Sequence, residues 1–364
     1  MADLDGRGVR QAWARGPLAL VACLIISLTG PAPAKAAESR LVAAQIQSAS
    51  FAGSRIGISP QRNVMVYLPP AYDESDRRFP VIYFLSHFFE DEKEPFAGRG
   101  AKALFDAGIA AGVIGDVIVV TADFTTPAGT SWFVNSAATG NWDDFMVREL
   151  VPYVDRNYRT LARPESRGIA GDRAGGYGAI GFGMRHPDVF GAVYALHPIG
   201  VGPGVQTMFS RPNWTLLADA KSLDEVRTDG FSLIFTSIFQ AHLPDPDRAP
   251  LFFAPPARRV GERLEVDAAL TERLQENFFL DRQVGRHADN LKRLRGLKFD
   301  WGRGDVNTDH IVSLQTFTRT LDEYGVPYEA EEYRGGWDDR RWNRDGRVYT
   351  DMLPFFRAKL SFDE

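Results

Sequence analysis

The stretch GIAGDRAGGYGAIGF, residues 168–182, sets glycines at 171, 175, 176 and 178 around Arg173. The RGIAG that leads into it is an apolar run of strand type, and the glycine-rich run that follows opens a helix. A chain that passes from strand to helix with almost no loop holds its tip residue in a strained conformation, clear of the sheet. It therefore needs small residues two positions before and after the tip. Gly171 and Gly175 meet that need around Arg173, and Gly176 and Gly178 let the helix lie close on the sheet. Ala170 and Ala174 bracket Asp172 in a register one residue earlier, but the GGYGA run favours Arg173 as the tip.

Around this turn the chain alternates between strand and helix patterns. RNVMVYLPPAYD and RRFPVIYFLSH are β-branched and aromatic strand runs, and GDVIVVTADF is a continuous apolar run of the buried parallel type. NWDDFMVRELVPYVDRNYR puts Phe145, Leu150 and Val154 on one face of a helix, with Asn141 as its expected N-cap. FGAVYAL, LKFDWG and VPYEAEEY supply further strands, the last two around a helix at roughly 309–324. Such alternation predicts a mostly parallel sheet covered by helices on both faces. Residues 199–296 interrupt it with LPDPDRAPLFFAPPARR and short helical patterns, as expected of a lid inserted over the C-terminal ends of the strands.

The 364 residues are 44% hydrophobic and 24% charged, enough for a sizeable core, and the net charge of −5 offers no field for nucleic acid. At the N-terminus Arg7, Arg10 and Arg15 precede GPLALVACLIISLTG and PAPAKAAES, with small Ala34 and Ala36 before the expected cut. Residues 1–36 thus read as a secretory signal, which predicts an exported protein, periplasmic or secreted, with no stable membrane span after cleavage. Cys23, the one cysteine, falls inside this segment, so the remainder has no disulfide, thiol nucleophile or cysteine metal ligand.

VMVYLPPAYD, FPVIYFL, FVNSAATGNWDDFMVRELVPYVDRNYRT, GIAGDRAGGYGAIGFGMRHPDVFGAV and EEYRGGWDDRRW together resemble the putative-esterase family of α/β-hydrolases, from about residue 55 to 360. That family includes feruloyl and acetylxylan esterases, S-formylglutathione hydrolase and mycolyltransferases. The resemblance implies an α/β-hydrolase fold: a mostly parallel sheet with helices on both faces, its core in two parts, 40–198 and 297–364, around the lid at 199–296. It also implies a serine at the tip of the turn, a histidine after the last strand and an aspartate on the preceding loop.

Set against that pattern, the reaction machinery is altered. The serine position is Arg173, a permanent cation with five donors and no attacking lone pair. The histidine position is Trp337 in YRGGWDD, whose indole nitrogen only donates, and no histidine follows His310. Asp305 in FDWGRGDVNTDH keeps the place of the acid. On the oxyanion side Ser86 and His87 stand where relatives carry HG, so a glycine that aims backbone N–H groups is missing.

Two readings of Arg173 follow. It pairs with Asp305 and fills the old triad space, or, at a helix N-terminus, it receives an anionic ligand. The expected contacts of a small anionic or glycosidic ligand are Arg173, Ser86, His87, Trp132, Asn135 and Trp337. Trp132, Trp142, Trp301, Trp337 and Trp342 all fall near strand ends, where aromatic rings suit sugars or aromatic acids, although packing suits Trp142 better. Asp172, Asp338 and His87 are the candidate acids and bases if the pocket runs other chemistry, on a glycoside or an activated acid. DVNTDH fails as a calcium loop, and the histidines His186, His197, His242, His287 and His310 lack zinc-like spacing, so no metal and no cofactor is expected. The sequence reading is thus an exported esterase-family protein that has lost serine chemistry, a pseudo-esterase. The alternatives are a repurposed enzyme and a conventional carboxylesterase whose triad lies elsewhere.

Overall fold

The structure, a computed structural model, describes residues 38–204, 211–337 and 342–363. The expected signal segment, with Cys23, and the candidate acid Asp338 lie outside the described residues.

Eight strands form one sheet: β1 (Arg40–Gln47), β2 (Gln61–Leu68), β3 (Val81–Leu85), β4 (Ile118–Ala122), β5 (Arg167–Asp172), β6 (Ala192–Leu196), β7 (Gly296–Gly302) and β8 (Glu329–Tyr333). Their spatial order is β1-β2-β4-β3-β5-β6-β7-β8. β2 runs antiparallel to β1 and β4, and from β4 onward every pairing is parallel. The crossovers between parallel strands place helices on the two faces.

Strand side chains alternate between two cores because successive residues point to opposite faces. In β3, Val81, Tyr83 and Leu85 join one core while Ile82 and Phe84 join the other. The second core is closed by α1 (Ala101–Ala110), through Leu104 and Phe105, and by the C-terminal helical segment with Met352, Leu353 and Phe356. The first core takes the helical segment around Phe145 and Val154, α2 (Ala174–Arg185) and α4 (Thr308–Glu323).

Between β6 and β7 the chain forms several helices and a small exposed hairpin, Ala257–Val260 with Arg263–Val266. Among these helices is α3 (Gly230–His242). Among the described residues no helix is long and apolar enough to cross a membrane.

One expected cap is reassigned. Asn141 precedes the helical segment as foreseen but makes no side-chain cap bond. The Asn135 Oδ1 accepts the N–H groups of Asp143 (3.0 Å) and Asp144 (3.2 Å) instead. The strand-like pairing of Asn135 with Asn141 brings that oxygen to the helix start, which local sequence order does not reveal.

Candidate active site

Five neighbouring strand ends deliver the candidate site. His87 follows β3, Arg173 follows β5, His197 follows β6, Asp305 follows β7 and Trp337 follows β8. Sheets of this kind place their sites at the carboxyl ends of the strands.

Arg173 sits at φ 54°, ψ −106°, between the last residue of β5 and the first of α2. This conformation costs roughly 1–3 kcal/mol for a residue with a side chain and persists only where the surroundings enforce it. The enforcement is visible: a Cβ on Gly171 would lie 2.1 Å from the Gly175 oxygen, and one on Gly175 would lie 2.0 Å from the Leu85 oxygen. The tip is therefore Arg173. Asp172 lies inside β5, paired opposite Leu196 and buried, so the register one residue earlier does not occur.

The Arg173 guanidinium carbon stands 3.4 Å from the Trp337 ring centroid. The two residues expected at the nucleophile and base positions thus meet as a cation–π pair. His310 stacks on the same indole, with centroids 5.9 Å apart and planes inclined by 28°.

Asp305 has partners other than the arginine foreseen for it. Its Oδ2 accepts from His197 Nε2 (2.8 Å) and from His310 Nδ1 (2.8 Å), and its Oδ1 accepts the Asn307 N–H (2.8 Å). Burial of its side chain pushes the Asp305 carboxyl upward, but the bonds from His197 and His310 outweigh this and hold it well below the usual carboxylate range. The expected Arg173–Asp305 pair is replaced because two imidazoles occupy the carboxylate.

The protons of this group follow from the outer partners. His197 Nδ1 accepts the Gly302 N–H (3.2 Å), so Nε2 carries the proton it gives to Asp305. At the other end Arg211 donates to Asn307 Oδ1 (2.7 Å), which orients the Asn307 amide so that Nδ2 donates to His310 Nε2 (2.9 Å). His310 is then the neutral tautomer with its proton on Nδ1.

His197, Asp305 and His310 offer one ligand-type atom each within 4.8 Å of one another, a grouping that spacing in sequence hides. A metal would need the His197 Nε2 lone pair, yet the Gly302 N–H places a proton there. The grouping fits a hydrogen-bonded chain better than a metal centre.

On the oxyanion side the first backbone donor after the tip, the Ala174 N–H, faces His87 Nδ1 at 3.5 Å.

A cavity of about 550 Å³ opens beside this group. Its lining includes His87, Trp132 and Trp337, together with Asp305 and His310. Arg173, Ser86 and Asn135, expected as ligand contacts, are not among its described lining. Arg173 is 7% exposed, packed on Trp337, and Asn135 is engaged in capping.

Of the other tryptophans foreseen at the site, Trp142 is core against Phe51 and Phe145, Trp301 donates to Glu332, and Trp342 packs on Phe84 and Phe105. Sequence reasoning missed His197 and His310 as site residues. The available signal was the DVNTDH run itself, where Asp305 precedes a helix whose first turn carries His310 back toward it.

Residues 57–226 match the family profile described as Putative esterase. An esterase of Mycobacterium tuberculosis is 30% identical over 144 residues, 37% of this chain and 28% of that protein. An endo-1,4-beta-xylanase/feruloyl esterase of Xylanibacter ruminicola is 30% identical over 151 residues, 40% of this chain and 20% of that protein. The matches therefore span under a third of these relatives' own lengths. Among solved structures, a ferulic acid esterase superposes with a TM-score of 0.63 at 20% identity, covering 89% of this chain and 99% of that one. An S-formylglutathione hydrolase from Agrobacterium tumefaciens gives 0.58 at 14% identity, covering 90% and 98%. The family match covers residues 57–226, a little under half of the chain, and the sheet has the α/β-hydrolase fold, which the ferulic acid esterase and the S-formylglutathione hydrolase share.

Proposed function

We propose that this protein is an exported pseudo-esterase that binds a small, largely apolar ligand in the cavity and performs no serine-esterase chemistry. The observation that carries the reading is the Arg173–Trp337 contact at the elbow. A guanidinium has no lone pair with which to attack a carbonyl, and an indole cannot accept a proton. The cavity volume falls in the range that encloses a drug-sized molecule, and rings such as Phe88 and Trp132 in its wall suit an aromatic or sugar ring. Export rests on the signal-like residues 1–36. An anionic ligand gains little from Arg173, which lies behind Trp337 rather than in the cavity wall.

One observation favours a second reading, an enzyme of acid–base type. Asp305 orients His310 through Nδ1, as a carboxylate orients a catalytic imidazole. Against it, the Nε2 lone pair that a base would use is engaged by Asn307.

The test is incubation of the purified protein with a fluorophosphonate probe and with p-nitrophenyl acetate. No labelling and no turnover above buffer are expected. Stoichiometric labelling of a serine would overturn the reading, and turnover without labelling would move it to the second.

A further inference from the structure

The two ends of the eight-stranded sheet are protected differently. β8 closes one end with Glu329, Glu331 and Glu332 among its five residues, and the small hairpin carries Arg258, Arg259, Arg263 and Glu265. Charges of this kind keep an edge strand from pairing with another chain. β1 closes the other end, and from Leu41 to Gln47 it reads LVAAQIQ, with no charge and no proline.

Nothing in the geometry of β1 blunts it either. Its eight residues match eight of β2 in unbroken register, from Arg40 opposite Leu68 to Gln47 opposite Gln61, so no bulge turns the strand away. On its outer side the backbone meets no hydrogen-bond partner among the described residues. Every second residue therefore presents an unpaired N–H and C=O to whatever lies alongside.

The chain leading into β1 is too short to cover it. With the signal cut after Ala36, as the export reading holds, only Ala37, Glu38 and Ser39 precede Arg40. Three residues reach about 10 Å, against about 27 Å for a strand of eight.

A second copy fits the edge. Two such strands in antiparallel contact are related by a two-fold axis normal to the sheet, which sets residues of the same face opposite one another. With the axis through Ala44, residues 41–47 of both copies overlap in full. Val42 then faces Ile46 of the second copy and Ala44 faces its twin, on the side where these residues already pack on the first core. On the other side Leu41 faces Gln47 and Ala43 faces Gln45. Every pair is uncharged, and the half-buried Val42 and Ala44 gain cover.

We infer that β1 is a dimerisation edge, through which two copies join antiparallel about Ala44 into one sheet running through both. The inference goes beyond the ligand-binding reading and rests on the export reading for the short stretch before β1.

The exported protein, purified after processing, tests it by sedimentation velocity. A dimer is expected, with Ala37 as its first residue by mass spectrometry. Ala43→Lys with Gln45→Lys sets like charges opposite each other and should weaken the dimer at least about tenfold. Both positions are exposed, so the fold is kept. Ala43→Glu with Gln45→Glu should do the same, and mixing the two variants should restore a dimer. Because Cys23 lies in the signal, Ala44→Cys gives the processed protein a single cysteine. Its Cα would stand about 5 Å from its twin and should cross-link on mild oxidation. Gln47→Cys, about 20 Å from its twin along the strand, should not.

A monomer throughout overturns the inference, as does a dimer that ignores both charge pairs and does not cross-link through residue 44. Retention of residues 1–36 overturns the export reading, and the charge pairs then decide the edge by themselves.

Discussion

Arg173 and Trp337 are in face contact, with the guanidinium carbon 3.4 Å from the indole centroid, at the two positions to which the family resemblance would assign serine and histidine. The contact is the product of two substitutions that fit each other. A single reversal therefore does not rebuild the site. Arg173→Ser is expected to show no more turnover of p-nitrophenyl acetate than the parent, because Trp337 accepts no proton. Arg173→Ser combined with Trp337→His should become reactive toward a fluorophosphonate. Turnover by the single variant would mean that another imidazole, His310 being the nearest to Trp337 in hand, reaches the new hydroxyl.

The elbow glycines give a sharper test of the backbone. Gly175→Ala would place its Cβ 2.0 Å from the Leu85 oxygen, a backbone atom that cannot step aside without breaking the β3 and β5 pairing. A loss of at least about 3 kcal/mol is expected, or failure to fold. Gly230→Ala is the matched control. Nothing lies within 4 Å of its Cβ, and it starts α3, so stability should hold or rise by about 0.5 kcal/mol. Urea denaturation of the pair measures the difference.

These two cases mark what the sequence makes legible. The sheet and the tip at Arg173 follow from patterns that are local: apolar runs, alternation, and glycines at fixed offsets. The partners of Asp305 are not local. His197 is 108 residues away, brought in because β6 and β7 are adjacent and parallel. His310 is only five residues away, yet its role depends on how the loop turns into α4, with Asn307 held by Arg211 from the segment between β6 and β7. A carboxylate facing a cation is the simplest guess from composition, and the topology supplied imidazoles instead.

Beneath the site, Asp300 in β7 is fully buried and accepts from Tyr194 (2.7 Å), from the His197 N–H (3.2 Å) and from Arg347 Nε (3.1 Å). Burial pushes its carboxyl upward, and Arg347 opposes that shift. The same arginine bonds Glu331 (2.5 Å) and pairs with Asp351 (3.0 Å), so three carboxylates share one cation. Arg347→Met should cost about 3 kcal/mol, because it strands a buried carboxylate rather than removing a surface pair. The loss should shrink when Asp300→Asn is added, a coupling that a double-mutant cycle in urea reads directly.

His242, at the end of α3, gives the pH prediction. Burial pushes its imidazole down to about 3, and the nearby Arg185 pushes in the same direction. The ring packs against Tyr177 and Phe278, which leaves a charged form no water. In the unfolded chain it titrates near the ordinary value of about 6.5. Between these values the unfolded state carries the extra proton, so acid favours unfolding and stability rises with pH across that window. The slope is at most about 1.4 kcal/mol per pH unit from this residue alone. His242→Phe should flatten the dependence of the urea midpoint between pH 6.5 and pH 4. Asp305 does not imitate the effect: its folded value is depressed well below the carboxylate range, so the stability it adds is fully present above the unfolded value near 3.9 and fades only in stronger acid. A parent and a His242→Phe variant that lose stability in parallel from pH 6.5 to pH 4 would show that the imidazole is already charged in the folded protein.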